Sequence, residues 1–338
     1  MISLCLMTRP CLRKLKIADN LESRALSFAK SFHEDIRSIQ PLTEEASGRR
    51  YFRASHDQGT FVVCFDPSTI NGHPTFIQRA KELKNANVRV PEILKYNEDS
   101  NFTALEDIGN YNLLDVPDFY QKNEIVEKVL LLLNDMQSAN LVNLDSTFEM
   151  GLESHAKKFS KILCKEFLDL DMYSGYKDLY KRMIPKLLDQ KWANCHYDFE
   201  RRNLHMGADE EIILLDFQDL GFGPIGIDLA GILIDHYYET NLELVSLYSN
   251  KFAQLSKFDL SGDEVYEYAL WGALQRNLRI MGTLTSLYIH KNKKFRIMDL
   301  PRIISNSATV ANEIGESELS NFLSKTVLPE FNERIKFL

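Results

Sequence analysis

Three polar residues in the second half of the chain have types and spacing that suit phosphoryl transfer. Asp198 stands in the segment HYD, Asn203 follows five residues later, and Asp216 ends the apolar run EIILL. A carboxylate such as Asp198 can position an attacking hydroxyl and accept its proton, while an amide oxygen and a second carboxylate suit Mg²⁺. The pattern therefore predicts Asp198 as the catalytic residue and Asn203 and Asp216 as metal ligands. His196 is expected to brace the loop.

The composition restricts the class of protein. The chain has 338 residues, of which 44% are hydrophobic, and a net charge of −8, which is typical of a globular protein with more than one lobe. The acidic balance argues against nucleic acid as the main partner. The five cysteines are scattered and include no CxxC pair, so we expect a cytoplasmic protein. Apolar runs fall far below the ~18 residues that span a bilayer, so no membrane partner is expected.

The first third of the chain contains several segments rich in β-forming residues, together with one or two predicted helices. Apolar spacing predicts a helix over residues 20–39, and the segments at 46–55 and 59–65 predict a β-hairpin. A helix is predicted at 74–85, followed by strands in PEILKYN and FTALED. Residues 1–106 therefore predict a small lobe built on an antiparallel sheet.

Helical periodicity dominates from residue 117 onward. Further helices are predicted near residues 152–169, 175–189, 226–238, 241–255, 264–290 and 317–326. Only WANC and EIILLDF are expected as strands in this part, and they flank the loop that carries Asp198. Residues 107–338 therefore predict a mainly helical lobe with one strand–loop–strand insertion.

Several segments together resemble a known group of enzymes. HYDFERRN followed by LLDFQD resembles the catalytic and metal-binding loops of the aminoglycoside phosphotransferase and choline kinase group. The resemblance implies an α+β, bilobal, protein-kinase-like fold, with residues 1–106 as the nucleotide-binding lobe and 107–338 as the helical lobe with the catalytic loop and acceptor site. It also implies ATP and Mg²⁺ as cofactors and a small-molecule acceptor.

Other segments are similar to one branch of that group. ASGRRYFR, LDFQDLGFGPIGIDLAGILID and LQRNLRIMGTL resemble the kinases that phosphorylate the anomeric C1 hydroxyl of N-acetylmuramate and N-acetylglucosamine in cell-wall recycling. The resemblance implies an amino sugar as the acceptor. Two alternatives stay open, namely a kinase of an aminoglycoside or a choline-like alcohol, and a non-catalytic nucleotide-binding protein.

Candidate nucleotide-binding residues lie in two upstream segments. EEASGRRYFR is similar to the nucleotide-covering hairpin of the family, which makes Ser47, Gly48, Arg50 and Arg53 candidates. A plain hairpin turn explains Gly48 equally well, and solvated strand positions would explain the two arginines. TALEDIG is similar to the hinge, where the backbone around Glu106 is expected to bond to adenine.

The chain departs from the general kinase pattern at two positions. Cys64 stands near the place of the third-strand Lys, and Phe76 stands near the place of the Glu in the next helix. The usual ion pair on the α- and β-phosphates is therefore expected to be absent. Arg50 or Arg53 is expected to supply the missing charge, because a guanidinium matches phosphate oxygens geometrically.

Candidate acceptor-binding residues come from two segments. Gln218 and Asp219 directly follow Asp216 and are expected to contact the sugar or metal-bound waters, with a simple turn as the alternative. Arg276 and Arg279 lie three residues apart on one helix face, where they would suit the lactyl carboxylate of N-acetylmuramate. A surface pair against nearby acids is the alternative. Asp228 is expected to cap the start of its helix.

Overall fold

The computed structural model describes most of the chain in two compact units. The described residues are 9–42, 48–67, 75–97, 99–142, 144, 148–171, 175–294 and 296–336, with backbone only at 9–19 and 148–150. Unit 1 comprises Met1–Lys84 and Val90–Asn110, and unit 2 comprises Asn85–Arg89 and Tyr111–Leu338. We describe each unit by itself.

Unit 1 is built on a five-stranded antiparallel sheet with strand order β1-β2-β3-β5-β4. The strands are β1 (Ser38–Pro41), β2 (Arg50–His56), β3 (Gly59–Phe65), β4 (Ile93–Asn97) and β5 (Phe102–Glu106), and the helices are α1 (Arg9–Phe32) and α2 (Thr75–Asn85). The predicted hairpin is therefore present as β2 and β3, and the two later strands are present as β4 and β5.

The core of unit 1 follows from the alternation of side chains along the strands. Residues two apart in a strand point to the same face, and each of the three central strands places two apolar residues on the face toward α1. The cluster consists of Ala25, Phe28 and Ala29 of α1 with Phe52, Ala54, Phe61, Val63, Phe102 and Ala104. The rings of Phe28 and Phe102 stack at 5.4 Å.

The predicted helix at residues 20–39 is wrong at its C-terminal end. α1 ends at Phe32, and Ser38–Pro41 pairs with β2 as an edge strand, with Ser38 opposite Ser55. Pro41 is tolerated there because an edge strand leaves one side of its backbone unpaired. The apolar spacing through Ile36 did not reveal this change. The stretch between the end of α1 and the start of β1 is too short to distinguish the periodicity of a helix from that of a strand.

Unit 2 is mainly helical. Its helices are α3 (Asn123–Ser138), α4 (Phe148–Lys158), α5 (Tyr176–Leu188), α6 (Gly226–Leu233), α7 (Leu242–Leu255), α8 (Gly262–Lys291), α9 (Leu300–Glu313), α10 (Ser317–Phe322) and α11 (Leu328–Ile335), with π-helical turns at Phe159–Phe167 and Leu323–Val327. The long helix α8 packs on α4, α6, α7 and α9, so it forms the centre of the unit. A capping box between Ser261 and Glu264 begins it.

Glycines allow α6 and α8 to cross at close range. A Cβ atom on Gly272 of α8 would lie 2.1 Å from the carbonyl oxygen of Gly226 in α6, and one on Gly231 would lie 2.1 Å from the carbonyl oxygen of Phe199. Any larger residue would push these backbones apart. The crossing brings α6 and α8 against the loop that carries Asp198.

Four short strands, rather than the two predicted, surround that loop. β6 (Trp192–Cys195) pairs with β9 (Gly221–Pro224), and β7 (Leu204–Met206) pairs with β8 (Ile212–Leu214). The expectation of a single strand–loop–strand insertion is therefore wrong. The predicted catalytic loop, residues 196–203, connects the end of β6 to the start of β7, and Asp216 lies between β8 and β9.

The α+β class is confirmed, with an antiparallel sheet in the N-terminal part and a mainly helical remainder. Helix α9 was not predicted, although its apolar residues do recur at helical spacing, as Leu300, Ile304 and Ala311 show on its buried face. Across the ranges that the structure describes, every helix is too short or too polar to cross a bilayer.

Candidate active site

A buried aspartate holds the start of the catalytic loop. The carboxylate of Asp228 accepts the backbone N–H of His196 at 2.6 Å and that of Tyr197 at 2.8 Å. Tyr197 has a φ of 64°, which is uncommon for a bulky residue and turns the two N–H groups toward one carboxylate. Burial raises the pKa of the Asp228 carboxyl. The expectation that Asp228 caps its helix is therefore wrong, since its carboxylate bonds to the loop.

His196 braces the loop, as the sequence predicts. Its Nε2 lies 2.9 Å from the carbonyl oxygen of Leu215, the residue before Asp216. A carbonyl oxygen can only accept, so Nε2 carries the proton and donates. His196 therefore connects the loop after β6 to the end of the strand that presents Asp216.

The three predicted catalytic and metal-binding residues are brought together by the β7–β8 ribbon. Leu204 pairs with Leu214, and the N–H of Leu215 donates to the carbonyl oxygen of Asn203 at 2.9 Å, so Asn203 and Asp216 end the same ribbon. The Nδ2 of Asn203 donates to the carbonyl oxygen of Asp198 at 2.9 Å. This bond uses the amide nitrogen and leaves the Oδ1 oxygen of Asn203 for a cation.

Asp216 is oriented by the residue that we predicted as a sugar or water contact. Asp216 has a φ of 57° and precedes a 3₁₀ turn, Phe217–Asp219. The Nε2 of Gln218 lies 2.7 Å from Oδ1 of Asp216 and 3.3 Å from Oδ2 of Asp219. Gln218 therefore links the two carboxylates from a buried position.

The oxygens around Asp216 fit a magnesium ion. The buried Oε1 of Gln218 has no hydrogen-bond partner among the described residues, so a hard acceptor is left beside the Asp216 carboxylate. Mg²⁺ commonly takes one or two protein oxygens and completes its shell with phosphates and water. Across the described ranges, no three His, Cys, Asp or Glu side chains gather as a metal site.

Arg276 and Arg279 of α8 both point at the catalytic loop. The Nη2 of Arg276 lies 2.9 Å from Oε2 of Glu200 and 3.3 Å from Oδ1 of Asp198, and Arg276 is fully buried. The Nη2 of Arg279 donates to the carbonyl oxygen of Tyr197 at 2.7 Å, and burial lowers the pKa of Arg279. Arg276 and Arg279 are therefore not a surface pair held by nearby acidic residues, which was the alternative interpretation.

Glu200 is a residue of the site that sequence reasoning missed. It is fully buried, and it accepts hydrogen bonds from Arg202 at 3.0 Å, Arg276 at 2.9 Å and Arg296 at 3.1 Å. Burial acts to raise the pKa of Glu200, but Arg276, Arg296 and Arg202 hold it below its usual value, so the carboxylate is ionised. The run Glu-Arg-Arg directly after Phe199 was the available signal, yet its burial is invisible in the sequence.

His236 completes this charged cluster as a neutral group. It contacts Arg276 and Arg296, and its Nε2 lies 3.5 Å from Oε2 of Glu200. Burial lowers the pKa of His236 far below its usual value, and the two arginines lower it further.

The predicted nucleotide-binding residues lie along β2 and the end of β5. Ser47 lies outside the described residues, and Gly48 has a φ of 80°. The guanidinium of Arg53 forms a bidentate ion pair with Asp107, at 2.6 and 2.9 Å. Glu106 accepts the backbone N–H of Glu92 through its side chain at 3.0 Å. The structure therefore gives Arg53 a carboxylate partner in the hinge segment.

Arg50 and Arg49 differ in their surroundings. The Nη1 of Arg50 lies 3.4 Å from the carbonyl oxygen of Arg49. The Nε of Arg49 donates to Oδ2 of Asp66 at 2.8 Å, close to Cys64 across the hairpin. Burial opposes the charge of Arg49, but the hydrogen bond that Arg49 donates to Asp66, together with nearby acidic groups, raises its pKa above the ordinary value. Arg49 was not among the predicted residues, because the pair RR gives no sign that Arg49 forms an ion pair with Asp66.

Solved structures show which fold this arrangement belongs to. Choline kinase LicA from Streptococcus pneumoniae matches with a TM-score of 0.60 and 14% identity over 86% of this chain and 99% of that chain. Aminoglycoside phosphotransferase APH(4)-Ia matches with a TM-score of 0.55 and 12% identity over 86% of this chain and 98% of that chain. The predicted kinase-like fold is thereby confirmed.

Curated relatives and a family model match most of the chain. A protein of Neisseria meningitidis serogroup B named N-acetylmuramate/N-acetylglucosamine kinase is 28% identical over 80% of this chain and 85% of its own length. A protein of the same name from Pseudomonas aeruginosa is 24% identical over 84% of this chain and 87% of its own. The model described as the phosphotransferase enzyme family, APH, matches residues 38–257. That match spans more than half of the chain, which therefore belongs to the phosphotransferase enzyme family.

Proposed function

We propose that this phosphotransferase uses ATP and Mg²⁺ to phosphorylate the anomeric C1 hydroxyl of N-acetylmuramate or N-acetylglucosamine. The observation that carries the proposal is the joint placement of Asp198, Asn203 and Asp216 by one loop and one ribbon. The names of the relatives support an amino sugar as the acceptor.

Asp198 is the proposed catalytic residue. Its side chain is 33% exposed, so a hydroxyl can reach it, whereas Glu200 two residues later is fully buried. The hydroxyl oxygen forms a bond to the γ-phosphorus as the bond to the bridging oxygen of ADP breaks, and the proton passes to the Asp198 carboxylate. The Asn203 bond to the Asp198 carbonyl holds the carboxylate in place.

Asn203 and Asp216 are the proposed ligands of Mg²⁺. The bond from Gln218 to Oδ1 of Asp216 orients the carboxylate, so that the other oxygen is presented to the metal. When bound, the metal neutralises charge on the phosphate oxygens.

The proposed acceptor residues are Gln218, Asp219, Arg276 and Arg279. Arg276 and Arg279 add positive charge beside Asp198 and Tyr197, which would favour an acceptor with a carboxylate. We therefore expect N-acetylmuramate, which has a lactyl carboxylate, to show a lower KM than N-acetylglucosamine.

Unit 1 is the proposed source of the nucleotide contacts, through Gly48, Arg50, Arg53 and the backbone at Glu106. Arg53 and Arg49 each pair with a carboxylate, but Arg49 also interacts electrostatically with Cys64, which stands near the place of the third-strand Lys, so we add Arg49 as a candidate for the missing charge. Arg49→Ala is expected to raise the KM for ATP about tenfold, because one charge-assisted contact to phosphate is worth about 1.5 kcal/mol. A KM for ATP within twofold of the wild-type value would remove Arg49 from the site.

An assay of the purified protein tests the function. With ATP and Mg²⁺, it is expected to convert N-acetylmuramate or N-acetylglucosamine to the 1-phosphate, detected by mass spectrometry and by ADP release. Asp198→Asn is expected to lower kcat by about 10²- to 10⁴-fold, the range for loss of a general base, at unchanged thermal stability. Turnover of aminoglycosides or choline in a mixed-acceptor assay, with none of amino sugars, would reject the proposed acceptor.

A further inference from the structure

Arg276 and Arg202 each lie between the carboxylates of Glu200 and Asp198. Arg276 lies 2.9 Å from Oε2 of Glu200 and 3.3 Å from Oδ1 of Asp198. Arg202 lies 3.0 Å from Oε1 of Glu200 and 3.4 Å from Oδ2 of Asp198. Each oxygen of the catalytic carboxylate therefore faces an arginine, and each of these arginines bonds to its own oxygen of Glu200.

The distances from the two arginines to Glu200 are shorter than those from the same arginines to Asp198. Hydrogen bonds between N–H donors and oxygen span about 2.7 to 3.2 Å, and charge-assisted ones are shorter still. Both contacts to Glu200 fall inside that range, whereas the hydrogen bonds from the same arginines to Asp198, at 3.3 and 3.4 Å, are longer. Each arginine therefore has a short bond to Glu200 and a long, weak bond to Asp198.

Burial makes Glu200 a fixed anchor and leaves Asp198 accessible. Glu200 and Arg276 are fully buried, and Arg296 adds a third hydrogen bond to Glu200 at 3.1 Å. Asp198 and Arg202 each have 33% of their side chains exposed. A buried carboxylate that has lost water gains more from arginine than an exposed one does, which explains why the arginines favour Glu200.

We propose that Glu200 is a positioning residue that holds Arg202 and Arg276 so that their bonds to Asp198 stay long and weak. The inference rests on the proposed function. With the arginines held back, the lone pairs of Asp198 stay available to the acceptor hydroxyl. The two guanidinium groups still stand close enough to stabilise the negative charge of the transferring phosphoryl group.

Glu200→Gln tests the proposal, because the amide keeps the shape and removes the charge. The bonds from the two arginines to Asp198 are then expected to shorten, and kcat is expected to fall about 10- to 100-fold, as for a misplaced catalytic group. The KM for ATP should stay within twofold. Glu200→Asp keeps the charge and is expected to retain most of the wild-type kcat. Wild-type kcat in Glu200→Gln would overturn the proposal.

A second substitution gives a sharper result. Arg202→Met is expected to lower kcat in the wild-type background but to raise it several-fold in the Glu200→Gln background, because it then removes a group that blocks Asp198. A simple structural role for Glu200 would make the two substitutions add or worsen each other. Losses that multiply in the double variant would therefore overturn the proposal.

Glu316→Gln is the matched control. Glu316 also has a mostly buried carboxylate, with 8% exposed, in a bidentate pair with Arg182 at 2.6 and 2.7 Å, but it lies far along the chain from the catalytic loop. It is expected to lower thermal stability while kcat stays unchanged. An equal fall of kcat in this variant would assign the effect of Glu200→Gln to general destabilisation.

A crystal structure of full-length Glu200→Gln tests the geometry without any acceptor. The distances from Arg202 and Arg276 to Asp198 are expected to shorten below about 3.0 Å. Distances that remain above about 3.2 Å would overturn the positioning role even if amino-sugar turnover is observed. Shortened distances together with no turnover of amino sugars would instead reject the proposed function and leave the positioning role standing.

Discussion

Arg201 and Arg202 are neighbours in the chain, yet they belong to two different regions of unit 2. Arg201 is fully buried, pairs with Asp235 at 2.5 Å and lies 4.3 Å from the ring centre of Tyr238. We call its surroundings the dry side of the loop. Arg202 is one-third exposed and contacts Glu200 and Asp198, and we call this the charged side.

The local backbone explains why the side chains of Arg201 and Arg202 point in different directions. Arg201–Asn203 forms a 3₁₀ turn, in which successive side chains point about 120° apart. One arginine therefore enters the aromatic interior, where the ring centre of Phe119 lies 5.0 Å away, while the next reaches Asp198, the proposed catalytic residue. Two adjacent residues of one type thus differ in burial and partners because the turn points them in different directions.

The largest expected effect is on the dry side. Arg201→Met leaves the fully buried Asp235 without its partner, and removing one member of a buried ion pair costs about 3 to 5 kcal/mol in the free energy of unfolding. Chemical denaturation of the variant measures this loss. Arg201→Met/Asp235→Leu, which removes both charges, is expected to recover part of the stability, and equal instability of the two variants would contradict the dry-side description.

A smaller effect, on kcat rather than on stability, is expected on the charged side. Arg202→Met is expected to lower kcat about tenfold, or about 1.4 kcal/mol in the activation free energy, because it removes positive charge beside Asp198. Its free energy of unfolding should change by less than about 1 kcal/mol, as for other partly exposed pairs. Steady-state kinetics and denaturation of the same sample provide both values. A stability loss as large as that of Arg201→Met would erase the contrast between the two sides.

The smallest effect is a dependence of stability on pH at the edge of the charged side. The folded protein holds His236 neutral because its pKa lies far below 6.5, whereas the unfolded chain binds a proton at about pH 6.5. Stability from this group is therefore present above about pH 6.5 and is lost as the pH falls, by up to about 1.4 kcal/mol per unit.

His236→Gln isolates that contribution. Burial also lowers the pKa of His155 and His205, but both remain in the variant, so the difference between the two proteins reports His236 alone. Urea denaturation between about pH 7.5 and about pH 5.5 is expected to show a shallower slope for the variant. Parallel slopes would show that His236 is protonated inside the fold.

The parts of the fold that the sequence predicted have a strong local signal. The β2–β3 hairpin was predicted because two segments rich in β-forming residues, ASGRRYFRAS and GTFVVCF, are joined around the short segment HDQG. The β9 strand was missed because Gly221–Pro224 has almost no side-chain pattern, and only its pairing with β6 makes it a strand. Backbone pairing with a distant segment leaves no signal in the local sequence.

The sequence by itself predicted the roles that we propose for Asp198, Asn203 and Asp216, because their types and spacing are local properties of one loop and one strand end. Only the tertiary structure decided what surrounds Asp198. Arg276 is 78 residues away in the chain, and Asp228 is 31 residues beyond Tyr197, so their contacts depend on how α6 and α8 cross. Burial then set the roles, since a fully buried Glu200 must bind arginine while the partly exposed Asp198 remains open to an acceptor.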